Sequence, residues 1–195
     1  MLQITASLFK HKLMKYQSNL FCLAYSWCNN RDTAQDLTQE SLEKALAKRH
    51  QLTNPDAIKS WLAKILSNCW KDHLRRQKPN DDIETLSLAS DYNLETEHER
   101  DQIVIKVRDS IDQLPLSQRQ VITLVDIFEL SYAEVAKTLD IPIGTVMSRL
   151  SRARQQLRHQ LVDYRNENTA QATGRKAAES TQSNNTNDDL ILEEH

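Results

Sequence analysis

The chain has 195 residues, 39% hydrophobic and 27% charged, with 25 basic against 27 acidic side chains, a length that suits one ordinary domain or two small ones. Two glycines and four prolines argue against all-β and dinucleotide-binding architectures, and Gly144 and Gly174 cannot assemble a phosphate-cradling loop. No apolar run approaches the roughly 20 residues of a membrane span, and Cys22, Cys28 and Cys69 form no CxxC pair, as suits a reducing cytosol.

The start of the chain is amphipathic, but His11 and three lysines interrupt it, which makes a poor signal peptide. Residues 6–28 place Leu8, Lys12, Tyr16, Leu20, Leu23, Ala24 and Trp27 near helical spacing and predict one helix. A second helix is predicted over 33–48, with Ala34, Leu37, Ser41, Leu42 and Ala45 facing inward. Its other side carries Asp32, Asp36, Gln39, Glu40 and Glu43. Pattern alone favours a solvated face with acids near a helix N-terminus; a docking surface for a basic partner is the sharper alternative.

The third helix opens at Asn54-Pro55, a capping residue followed by a residue suited to the first turn. Ile58, Leu62, Ile65, Leu66, Cys69 and His73 form its apolar face, and Lys64, Asn68, Lys71, Arg75 and Lys78 fall on a stripe opposite, flanked by Trp61. Cations beside an aromatic ring suit a single-stranded nucleic acid, whose phosphates they track while the ring stacks on a base. A solubilising face over core tryptophans (Trp61, Trp70) fits this helix about as well. His73 has no second ligand at metal spacing.

Residues 78–100 hold seven acids and two bases, and the stretch from Pro79 onward lacks periodicity, so it reads as a flexible spacer. After it, Leu114-Pro115 opens a helix predicted to run to about Phe128. Ser131-Tyr132-Ala133-Glu134 is a capping-box pattern at the head of a short helix that stops before Ile141-Pro142. The next helix starts near Gly144, with Val146, Leu150, Ala153 and Leu157 inward and Ser148, Arg149, Ser151, Arg152, Arg154 and Gln155 on its other faces. A short capped helix, a tight turn and a second helix with small polar and arginine side chains is the geometry that enters a major groove. Arginine and glutamine can pair with base edges there. Beyond Asn166 the composition is low in large apolar side chains, with six acids against two bases, and predicts a disordered tail.

The segment LPLSQRQVITLVDIFELSYAEVAKTLDIPIGTVMSRLSRARQQL resembles the promoter-recognising C-terminal domain of extracytoplasmic-function sigma factors. RDTAQDLTQESLEKAL followed by IKSWLAKILSNCWKDHLRRQ resembles their N-terminal domain. The resemblance spans about 150 of the 195 residues with both motif sets in order. It implies an all-α protein of two small helical domains, an N-terminal bundle (1–78) and a C-terminal helix-turn-helix domain (103–165). An acidic linker (79–102) joins them, and the tail (166–195) follows.

The function implied is that of a dissociable, non-catalytic specificity subunit of bacterial RNA polymerase, with no metal, cofactor or small-molecule substrate. Asp36, Gln39 and Glu40, with Asp32 and Glu43 on the same face, match the surface that docks on the clamp helices of the largest polymerase subunit. Trp61, Asn68, Lys71 and Arg75, with Lys64 and Lys78, match the region that opens and holds the −10 element as single strand. Ser148, Arg149, Ser151 and Arg152, with Thr145 and Gln155, match the reader of the −35 element. The acidic linker is expected to thread towards the RNA exit path, and an anti-sigma factor is an expected partner. Cytoplasmic placement follows, with retention at a membrane by that partner left open. Met147 stands where the family usually has lysine or arginine, and Leu42 where it usually has phenylalanine. A free-standing helix-turn-helix regulator is the competing reading, but it leaves the acidic helix and the Trp61/Asn68 stripe unexplained.

Overall fold

The computed structural model describes residues 6–77, 99–162 and 164. Lys78, most of the acidic segment and the tail lie outside the described residues, so the spacer and disordered-tail expectations do too. Every regular element described is helical.

The stretch 6–28 is two helices rather than one: α1 (Ala6–Met14) and α2 (Gln17–Cys28) meet at a turn. The Tyr16 N–H donates to Leu13 O at 2.9 Å to close it. The bend turns Phe9 and Leu13 into the core, with the Phe9 ring edge-on to Trp61 at 6.2 Å between centroids. Helical spacing looks continuous across this break because both helices bury apolar residues; only packing reveals it. Helix α2 ends at Asn29 in the left-handed region (φ 50°), a conformation asparagine tolerates better than most residues.

Helix α3 (Arg31–Ala47) starts where Asn30 accepts from the Thr33 N–H at 2.9 Å. A short 3₁₀ turn at Pro55–Ala57, capped by Asn54, leads into α4 (Ile58–Gln77). Trp70 is buried in the core of α4 and stacks on His73. His73 itself is only partly covered, and burial lowers its imidazole below the usual value.

Helix α5 (Glu99–Asp112) begins within the span read from composition as linker. Helix α6 (Leu116–Ile122) does not run on regularly to Phe128; it widens into a π turn over Thr123–Ile127, where the Phe128 N–H reaches back to Thr123 O. At the start of this turn the Thr123 hydroxyl donates to Arg119 O at 2.8 Å. Helix α7 (Tyr132–Leu139) carries the expected capping box: Ser131 N–H donates to Glu134 Oε2 at 2.9 Å, and Ser131 Oγ accepts from Glu134 N. The Ser131 hydroxyl, which donates to Glu134 Oε2 at 2.7 Å, and then the Ser131 N–H hold the Glu134 carboxyl below its ordinary range. Helix α8 follows over 143–162.

The two helical blocks share one apolar core that runs from Phe9 and Trp27 through Leu66 to Leu124, Val135 and Val146. Trp27, fully buried, donates from Nε1 to Thr123 Oγ1 at 3.0 Å across the two blocks. Arg119 is buried at 4% exposure. Its guanidinium donates to Leu114 O at 3.1 Å, Ser26 O at 3.4 Å and Asp112 O. Beside it, burial pushes the Asp112 carboxyl up to about 6 while the Arg119 charge pulls the other way. Three surface pairs add to the contact: Lys59–Glu129 at 2.7 Å, Lys64–Asp140 at 2.5 Å and Lys71–Asp140 at 3.0 Å.

Candidate nucleic-acid and polymerase interfaces

Three faces carry the residues singled out in the sequence. On α4, Lys64, Asn68, Lys71 and Arg75 recur at intervals of three or four and share the side opposite Ile58, Leu62 and Leu66. Asn68 and Arg75 are exposed. Trp61 is half-buried beneath Phe9, so part of its ring is already engaged. The structure adds a second source of positive charge that the α4 pattern does not contain. Lys44 and Lys48, at the end of α3, line a polar groove with Asn68, Asp72 and Arg75. Their i, i+4 spacing was the available signal, but only packing brings that helix end to α4. Glu40, bonded to Lys44, raises its ammonium pKa.

Lys64 and Lys71 are not open to solvent in the same way as Arg75. Both ammonium groups meet the Asp140 carboxylate, whose pKa they hold below the usual carboxylate range through hydrogen bonds from Lys64 and then Lys71.

The acidic face of α3 divides in two. Asp32, Asp36, Gln39 and Glu43 are exposed, with Gln39 Nε2 donating to Glu43 Oε1 at 3.1 Å. Glu40 is turned towards its own fold, 2.8 Å from Lys44 Nζ and 3.5 Å from Arg76 Nη2.

On α8, Val146, Leu150 and Ala153 are buried. Ser148, Ser151, Arg152 and Gln155 are exposed, whereas Thr145 and Arg149 are half-buried. Ser148 Oγ donates to Thr145 O at 3.1 Å, which turns that hydroxyl towards its own helix. Arg154 is held by Asp126 through bonds of 2.5 and 3.2 Å, anchoring α8 to the π turn. Met147, 54% exposed, stands on the open face and lines a shallow groove with Tyr132, Ser151 and Gln155. This face can approach a duplex: small side chains allow close contact with the backbone, and arginine and glutamine reach base edges. Among the described residues no group of His, Cys, Asp and Glu could hold a metal ion, and no helix is long and apolar enough to cross a membrane.

Residues 13–79 match the family described as Sigma-70 region 2, and residues 105–157 match Sigma-70, region 4. RNA polymerase sigma factor SigV of Bacillus subtilis is 32% identical over 164 residues, covering 82% of this chain and 94% of that protein. The ECF RNA polymerase sigma factor SigW of the same organism is 31% identical over 160 residues, covering 76% and 86%. Among solved structures, the sigma factor RpoE in complex with the anti-sigma factor NepR from Bartonella quintana superposes with a TM-score of 0.62 at 28% identity. That match covers 78% of this chain and 96% of the other.

Proposed function

Because this chain belongs to the extracytoplasmic-function sigma factors of the sigma-70 family, we propose that it docks on core RNA polymerase through the exposed acids of α3, holds the melted −10 strand along α4 and reads the −35 duplex with α8. The reading rests most on one observation: two matched regions, in order, each carry the surface their task requires. Asp32, Asp36 and Glu43 are exposed on α3 and available to a basic helical partner. Asn68 and Arg75, joined by Lys44 and Lys48, offer a cationic groove to a single strand. Ser151, Arg152 and Gln155 face outward from a helix-turn-helix.

In this role the chain supplies binding and orientation, and catalysis belongs to the polymerase. The free-standing regulator is not favoured, since a simple duplex binder leaves the region 2 match over α3 and α4 without a counterpart. An anti-sigma factor is a proposed partner as well. Support comes from the Bartonella protein, whose chain superposes on this one across both blocks while bound to such a factor.

Arg152 provides the test at single-residue level. With core polymerase present, Arg152→Ala is expected to lose roughly 1–3 kcal/mol of discrimination at one −35 base pair, measured by substituting each position of the element in turn. A uniform loss across all sequences would make Arg152 a phosphate contact instead.

A further inference from the structure

Lys64 and Lys71 lie two turns apart on α4 and converge on a single carboxylate, Asp140, at 2.5 and 3.0 Å. Lys64 Nζ also donates to Lys137 O at 3.1 Å and Thr138 O at 3.3 Å, and Lys71 Nζ to Leu139 O at 3.5 Å. Those carbonyls close α7, where helix geometry leaves acceptors unsatisfied and the helix dipole is negative. An anionic oxygen pair surrounded by further acceptors is what a nucleic-acid phosphate would present to the same two lysines.

The backbone adds an independent observation. Asp140 sits at φ 60°, ψ 44° as the C-terminal cap of α7. Glycine meets that left-handed conformation without a Cβ penalty, so the turn does not need a carboxylate.

We propose that Asp140 is an intramolecular latch that occupies the phosphate-tracking lysines of α4, so that single-stranded DNA on α4 and packing of the helix-turn-helix block against it exclude one another. The proposal rests on the reading of α4 given above.

Distance makes opening necessary. Helix α8 begins three residues after Asp140, so Thr145–Gln155 stay within about 30 Å of it, at roughly 1.5 Å per residue in the helix and at most about 3.6 Å per residue before it. The −35 and −10 elements, named for positions about 25 base pairs apart, are separated by about 85 Å along B-DNA at roughly 3.4 Å per step. The packed arrangement therefore reaches one element at a time. The Lys59–Glu129 pair and the Trp27–Thr123 bond also hold the blocks together, but the contact at Asp140 uses cations assigned to DNA. It thus links strand capture to domain release. The Asp140 side chain is 62% exposed, so salt screens the latch and each pair contributes modestly. It is a latch that polymerase and DNA can open.

The test is binding of a fluorescein-labelled, mixed-sequence single-stranded DNA 15-mer to the full-length protein without polymerase, read by anisotropy at low salt. Asp140→Gly removes the carboxylate at a position whose backbone suits glycine, and Asp140→Asn removes the charge with near-identical shape should the glycine variant fold poorly. Both are expected to bind about three- to tenfold more tightly than the parent, with the gain shrinking as salt rises. Lys64→Ala/Lys71→Ala should weaken binding whether or not Asp140 is present. If the Asp140 variants bind no better while the lysine variants still weaken binding, the latch is refuted and the α4 reading stands. If no protein binds the oligonucleotide, or the lysine variants leave binding unchanged, the α4 reading fails and the latch with it.

Discussion

Charge reversal at Asp32 and Asp36 is expected to weaken binding to core RNA polymerase by on the order of 2 kcal/mol, about 30-fold, while the helical content stays at the level of the parent protein. Both side chains are exposed on α3 and neither pairs with a cation among the described residues, so the main structural cost is loss of an acid from the first turn at Asp32, typically about 0.3–1 kcal/mol. On the docking proposed, the loss of binding arises at the partner, where lysines would take the place of acids offered to a basic surface. Glu40 is a poorer probe despite its place in the same motif. It already bonds Lys44 and Arg76, and reversing it would disturb the α3–α4 packing as well as any docking. A titration of labelled core polymerase with parent and variant chains measures the effect. Equal affinities would remove α3 from the interface.

Replacing Arg119 by alanine is expected to cost about 3 kcal/mol of stability, the range found when one partner of a buried charged network is removed. Arg119 is 4% exposed and bonds carbonyls of Ser26, Asp112 and Leu114. It therefore ties the α5–α6 turn to α2 in the other block. Its loss leaves those acceptors without a donor in the interior and takes away the positive charge that opposes the upward shift of Asp112. Trp27 lies fully buried against Thr123 close by, so its signal contributes, with those of Trp61 and Trp70, to an intrinsic fluorescence that reports unfolding. Denaturant unfolding at neutral pH should show an earlier midpoint, and a change under about 1 kcal/mol would mean that Arg119 is not holding the two blocks together.

Short-range signals carried much of the fold. Ser131 and Glu134 form the capping box that their spacing implies, Asn54 caps the entry to α4 through the 3₁₀ turn, and the stripe from Lys64 to Arg75 lies on one face because helical period fixes it. The resemblance to sigma factors, carried by motifs in two separate blocks, agrees with the family matches to those same blocks.

What escaped the sequence depends on contacts between distant residues. Arg119 looks like an ordinary polar position in LSQRQVI, and its burial comes from α2, more than 90 residues earlier. The break between α1 and α2 leaves the apolar period intact, so no local signal marks it. No local signal marks the widening at Thr123, whose hydroxyl meets Trp27 across the blocks. Trp61 was equally legible as core or stacking platform, and Phe9 decides part of the matter by packing on it. The pairing of Lys64 and Lys71 with Asp140 spans about 70 residues, across a segment whose composition suggested only a spacer.

As a sigma factor, this chain is expected to give polymerase its promoter specificity. Run-off transcription with purified core polymerase, over a library of duplexes randomised at −35 and −10, tests it most directly. Transcripts that require this protein and share a common pair of elements are the expected result. No protein-dependent transcript, despite tight binding to bare duplex DNA, would contradict it.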